Sequence, residues 1–153
     1  VGTPAHDERL AGLIRATKEA KIPASRIQVM GDAATRQSGF DVTKDLIANG
    51  IESVGILAYN DIVASGILAA LRDSEYKIGS EISVVSIDDI ESSKFESPPL
   101  TTVNVGAFEL GQKAAESLLE LVEGGKKVRK TVFLDNKLII RESCGCTREK
   151  KVS

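Results

Sequence analysis

Three polar residues stand where a small polar ligand could be held: Arg9, Asn60 and Asp88. Asn60-Asp61 follows the apolar run Val54-Gly55-Ile56-Leu57-Ala58, and Asp88-Asp89 follows the run from Ile82 to Ile87. Both runs are short and nearly continuous, as strands covered on both faces are. In an open parallel sheet, ligands bind outside the carboxyl ends of the strands, which puts Asn60 and Asp88 in one cleft. A carboxylate there can accept from two neighbouring hydroxyls of a sugar. A side-chain amide offers both donors and an acceptor, although Asn60 also suits the cap of the helix that follows. Arg9 sits in the first turn of a helix begun by Asp7 and Glu8, where the dipole disfavours a cation. It is either a surface cation paired with a carboxylate or a fixed fork aimed at ligand oxygens. Asp89 reads as the cap of a short helix.

Other chemistries find little support. The chain holds one histidine, His6, and no nucleophile set beside a base. It lacks G-x-G-x-x-G, the phosphate-loop Gly-Lys-Ser/Thr and the G-x-S-x-G elbow. No enzyme activity, cofactor or metal is expected. Cys144 and Cys146 are too few for a metal site, and a disulfide across one residue is strained. They read as reduced thiols without a role in the fold, in keeping with the cytoplasm. Twenty basic against 22 acidic side chains leave a net charge of −2, which argues against a general grip on nucleic acid. No apolar run reaches membrane-spanning length.

The elements that must position these residues follow from periodicity. The 153 residues can bury one core, or one and a part. After a loop over 2–6, a helix is expected from about Asp7 to Ala20, with Leu10, Leu13, Ile14 and Thr17 as its apolar stripe. Arg26 to Met30 reads as a strand, and Ser38 as the cap of a helix over Gly39 to Asn49 with Phe40, Val42, Leu46 and Ile47 inward. Ile62, Leu68 and Leu71 recur at helical spacing between the two apolar runs, giving strand, helix, strand. Ser97-Pro98-Pro99 breaks the chain before an extended Leu100 to Val105. A long helix from about Ala107 to Glu123 carries Leu110, Ala114, Leu118 and Leu121 on one stripe, with Gly124-Gly125 as its stop. The charge run Lys126, Lys127, Arg129 and Lys130 reads as a solvated turn; Thr131 to Leu134 and Lys137 to Arg141 read as strands.

Several pieces arrive in order and in register: Ala58-Tyr59-Asn60-Asp61 with Ala64-Ser65-Gly66, the run Glu81 to Asp89, Pro98-Pro99-Leu100-Thr101-Thr102-Val103, Leu110-Gly111 and Arg141-Glu142-Ser143. Together they resemble the effector-binding core of the lactose-repressor family of bacterial transcription regulators. The resemblance runs from Arg9 to Ser143. It implies a periplasmic-binding-protein-like α/β fold of two lobes, a mostly parallel sheet with helices on both faces, and a small effector, expected to be a sugar, between the lobes. Residues 1–102 with 137–146 would be the C-terminal lobe, 103–136 an excursion into the N-terminal lobe, and 147–153 a disordered tail. Val1-Gly2 reads like the end of a strand, as if the chain began inside a larger protein. DNA would be met only through a headpiece outside this chain.

The resemblance also favours Arg9 in the cleft and a homodimer paired through the region of Ile67, Leu71 and Phe95. It takes the long helix onto the absent lobe, which would leave its leucines bare; the helix is expected instead to fold onto the chain's own sheet or to be covered by a second copy. Many family members stack an aromatic on the ligand near Ala33, and this chain has none in that loop. Alternatives of another class are a sugar-binding protein of a transport system and the sensor module of a signalling protein.

Overall fold

The computed structural model describes residues 3–31, 34–51, 54–123 and 131–146. Among them four helices and four strands follow in the order α1 (Pro4–Glu19), α2 (Arg36–Ala48), β1 (Val54–Leu57), α3 (Asp61–Arg72), β2 (Ile82–Asp88), β3 (Thr101–Asn104), α4 (Ala107–Val122) and β4 (Lys137–Ile139). Short 3-10 turns cover Ala24–Arg26 and Glu91–Phe95. The sheet order is β1-β2-β3-β4, with β1, β2 and β3 parallel and β4 antiparallel to β3. The register sets Asp88 beside Asn104, so both end at the carboxyl edge of the parallel strands.

Local chemistry sets the helix starts, and two begin before the expected residues. Thr3 caps α1 by accepting from the His6 N–H, and Pro4 opens the first turn, where its missing N–H costs nothing. The stretch 2–6 is therefore only partly a loop. Thr35, not Ser38, caps α2; the Ser38 N–H donates to the Thr35 hydroxyl at 3.1 Å. Asn60 caps α3 through the Val63 N–H at 2.9 Å.

One core holds the molecule. Ala58, Ala64, Ile67, Leu68, Leu71, Ile82, Val84 and Leu100 form a buried cluster between α3 and the sheet. Each large aliphatic side chain removed from water there contributes about 1.5–3 kcal/mol. Helix α2 lies across α3 at a crossing with almost no room. A Cβ on Gly66 would collide with the Arg36 carbonyl, and one on Gly39 with the Val63 carbonyl. The buried face of α2 is thus centred on Gly39 and Thr43, while Phe40, Val42, Leu46 and Ile47 flank it half-buried.

Several expectations need correction. Ile67 and Leu71 lie inside the chain's own core at 6% and 0% exposure, so neither presents a surface to a partner; Phe95 is 74% exposed. Cover on both faces is not found: in β2 the alternate residues Ile82, Val84 and Ser86 are buried on one face while Ser83, Val85 and Ile87 on the other are only half-buried, and β1 is more open still. That strand is at the edge of the sheet, and Val54 and Leu57 are exposed. The expected strand over 26–30 is a 3-10 turn followed by irregular chain, with Val29 and Met30 exposed and no partner strand beside them. Residues 131–134 also pair with nothing, and Phe133 is 89% exposed. A strand needs a ladder, and neither apolar run has one within the described residues. Ala33, the glycine stop, the charge run after it and the tail at 147–153 lie outside the described residues.

Candidate functional site

The carboxyl edge of the sheet gathers the chemistry. Arg9, on the second turn of α1, reaches over this edge. Its Nη1 donates to the Tyr59 carbonyl at 2.6 Å, and its Nη2 to Asp88 Oδ1 at 3.5 Å. The guanidinium also lies 4.6 Å from the centre of the Tyr59 ring, which shields one of its faces. His6 stands beside the same ring and pairs with Asp7. Because α1 starts at Pro4, Arg9 is not in the first turn as expected, and an aromatic face, a carbonyl and a carboxylate hold it. Arg9 and Asp88 are brought together directly. Asn60 adjoins Tyr59 at the start of α3; its amide oxygen is committed to the cap, leaving the amide N–H groups.

Asp88 sits at φ 120° and Asp89 at φ 52°, both in the left-handed half of the map that favours glycine. Two such residues in succession store strain of a kind found at binding sites, held only because the surroundings over-determine them. The Asp88 carboxyl is raised above its ordinary value, chiefly by burial, with the nearby Asp61 charge adding and Arg9 opposing. Asp89 is not the cap expected of it. Its carboxylate accepts from Arg141 Nη2 and from Asn104 Nδ2, both at 2.8 Å. Burial pushes it upward, but those hydrogen bonds and the Arg141 and Lys94 charges prevail and hold it below the ordinary carboxylate value.

Beneath the two aspartates lies Asp61, which sequence reasoning passed over. It is 1% exposed, and its carboxylate takes four donors. Ser86 Oγ and Thr102 Oγ1 (2.6 Å) donate to Oδ1; Ser93 Oγ (2.5 Å) and the Ile90 N–H (2.9 Å) donate to Oδ2. One side chain thereby ties α3 to β2, β3 and the Glu91–Phe95 turn, and fixes the loop that carries Asp88 and Asp89. The legible signal was its place one residue after a cap, at a helix N-terminus that favours an anion. Tyr59 was also missed as a contributor; it supplies an aromatic surface from the residue before Asn60 rather than from the loop near Ala33.

Arg141-Glu142-Ser143 closes the far side. The Arg141 guanidinium bridges the Leu100 carbonyl (2.7 Å) and Asp89, and Ser143 Oγ donates to the Val84 carbonyl (2.7 Å) while accepting from the Thr101 N–H (2.8 Å). Every buried polar side-chain atom among the described residues has a partner. Two concavities of about 530 and 590 Å3 lie elsewhere, one beside Tyr76 and one beside Cys146. The Arg9–Asp88 surface is open to solvent, the two side chains being 26% and 34% exposed.

Residues 1–144 match the family model described as a periplasmic binding protein-like domain. The chain belongs to this family. Among its relatives, the HTH-type transcriptional repressor PurR of Mannheimia succiniciproducens is 28% identical over 136 residues, covering 89% of this chain and 41% of the repressor. A lactose-repressor-family regulator from Enterococcus faecium, solved with bound ribose, superposes with a TM-score of 0.84 at 26% identity, covering 94% of this chain and 53% of that one. The lac repressor dimer bound to operator and an anti-inducer superposes with a TM-score of 0.77 at 32% identity, covering 92% and 42%. These likenesses place the chain in the effector-binding domain of the lactose-repressor type. As a periplasmic binding protein-like domain it is partial, spanning about two fifths to half the length of these relatives. Among the described residues, no helix is long and apolar enough to cross a membrane.

Proposed function

We propose that the chain is the effector-sensing part of a cytoplasmic bacterial transcription regulator, not an enzyme, and that the effector is a sugar. Arg9, Asn60 and Asp88 form one wall of the effector cleft. The observation that carries the reading is the Arg9–Asp88 pair on an open face at the carboxyl edge, beside the Tyr59 ring. A fork of N–H donors next to a bidentate acceptor suits neighbouring ring hydroxyls, which both donate and accept. An aromatic face suits the C–H side of a sugar ring.

In this reading residues 1–102 and 137–146 make the C-terminal lobe, and 103–136 cross into the other lobe. Effector bridging the lobes selects one closure angle, and that choice reaches DNA through a headpiece in a dimer. Phe95 is the residue left on the proposed dimer surface. A thermal-shift screen of pentoses, hexoses and purine bases against the natural full-length protein tests the proposal. A cognate sugar at about 100 times its Kd stabilises by about 2.7 kcal/mol. Stabilisation by purine bases alone, or by no sugar in the series, overturns the sugar assignment.

A further inference from the structure

We propose that Cys144 and Cys146 form a thiol–disulfide exchange site that reacts with small-molecule disulfides at the end of the sheet opposite the effector cleft. The segment is firmly seated. Ser143 is buried between β2 and β3, and Ser83 Oγ donates to the Cys144 carbonyl at 3.1 Å. Gly145 then turns the chain in the left-handed conformation at φ 72°, pressed so closely on Gly79 that a Cβ would collide with the Gly79 carbonyl. This turn lays the Cys146 N–H on Cys144 Sγ at 3.4 Å and so holds the two cysteines in one tight turn. Cys146 is exposed and Cys144 half-buried. Beside them opens a recess of about 590 Å3, lined by Gly79, Ser80, Pro99, Glu142 and Cys146 among others. That volume falls within the range of small-molecule sites.

The two thiols have divided roles. Burial pushes Cys144 upward, but hydrogen bonds from the Thr101 hydroxyl and from the Cys146 N–H and thiol prevail, and its pKa lies below the ordinary thiol value. In the protonated form its S–H points to the Arg141 carbonyl at 3.6 Å. Cys146 is pushed up by the same neighbour. Cys144 is therefore the thiolate that attacks, since the thiolate is the nucleophile. Its sulfur bonds to one sulfur of a disulfide RS–SR, the S–S bond breaks, and one RS⁻ leaves and takes a proton. The negative charge that held Cys146 protonated is then gone. Cys146 loses its proton and attacks the Cys144 sulfur, a new S–S bond forms within the chain, and the second RSH departs. The dithiol is oxidised by two electrons and RS–SR is reduced to two RSH. A ring closed across one glycine is strained, and strained, exposed disulfides are the easily reduced, regulatory ones.

Glutathione disulfide is the probe. The reduced chain is incubated in stepped ratios of reduced to oxidised glutathione, quenched with acid, alkylated and weighed by intact mass spectrometry. The expected product has lost two hydrogens, retains no glutathione and takes up no alkylating agent; it returns to the dithiol at modest excess of reduced glutathione. Cys146→Ser is expected to stop with one glutathione on Cys144. Cys144→Ser is expected to react roughly tenfold more slowly, with its pH profile moved upward. Stable glutathione on both cysteines, disulfides between chains, absence of reaction, or an unslowed Cys144→Ser variant overturns the proposal.

Discussion

Asp61 and α4 are the two extremes of this molecule. Asp61 is a charged side chain at the centre of the fold, fully enclosed and satisfied by four donors. Helix α4 is an apolar-striped element on which nothing is buried, with Leu110, Leu118 and Leu121 exposed by more than half. The usual assignment of polar to outside and apolar to inside is inverted. The inversion teaches which surface this chain braces by itself. The wall carrying Asp88 and Asp89 is braced by short-range hydrogen bonds. The stripe on α4 has no counterpart within the described residues, in line with a domain that spans only part of its relatives' length.

Removing the centre should break the comparison most severely. Asp61→Ala leaves Ser86, Ser93, Thr102 and the Ile90 N–H without their acceptor. Each such orphan costs about 1–3 kcal/mol, partly relieved by relaxation, so a loss of about 3–5 kcal/mol in urea denaturation is expected. A loss below about 1 kcal/mol would show that the network is dispensable.

Asp88→Asn tests the wall rather than its brace. Effector affinity of the full-length protein, read by calorimetry, should fall by about 1.5–3 kcal/mol, the range for a charge-assisted bond. If Asp88 holds the effector, the wild-type affinity should carry a pH signature. The carboxylate is the accepting form and its pKa is raised by burial, so affinity should be complete at neutral pH and be lost as pH falls through a value above the ordinary 3.8. Unchanged affinity in the variant removes Asp88 from the site.

Gly66→Ala strikes the α2–α3 crossing. Its Cβ meets backbone rather than a flexible side chain, so the helices must part. The expected cost is about 1–3 kcal/mol in thermal or chemical denaturation. A neutral result would mean that the crossing is looser than the contact at Arg36 implies.

The smallest effect belongs to α4. Leu118→Lys replaces a side chain 61% exposed, and the stability of this chain in dilute solution should change by no more than about 0.5 kcal/mol. A large, concentration-dependent loss would instead reveal a second copy covering the stripe.

Much of this could be read from residue order alone. The apolar runs at 54–57 and 82–87, the helical spacing between them and the cap at Asn60 specified strand, helix and strand, because local propensity and burial period agree there. Arg9 stood out because it contradicted the helix dipole, and Asp88 because a carboxylate ended a buried strand. The same local reasoning failed for 26–30 and 131–134, where β-rich composition found no ladder to join. It failed again for Ile67 and Leu71, since an apolar residue in a helix does not state which side it faces.

What tertiary structure alone decided is the set of partners. Asp61 and Thr102 are 41 residues apart, Arg9 and Asp88 79 apart, and Asp89 and Arg141 52 apart. Composition and spacing determined that acidic residues would crowd the carboxyl ends of the strands. Which of them would be buried as a brace, which paired with Arg141 and which left part-exposed beside Arg9 followed from sheet register and chain crossing. Those are long-range facts, because a hydrogen bond is specified by the position of two groups in space and not by either residue's neighbours in sequence.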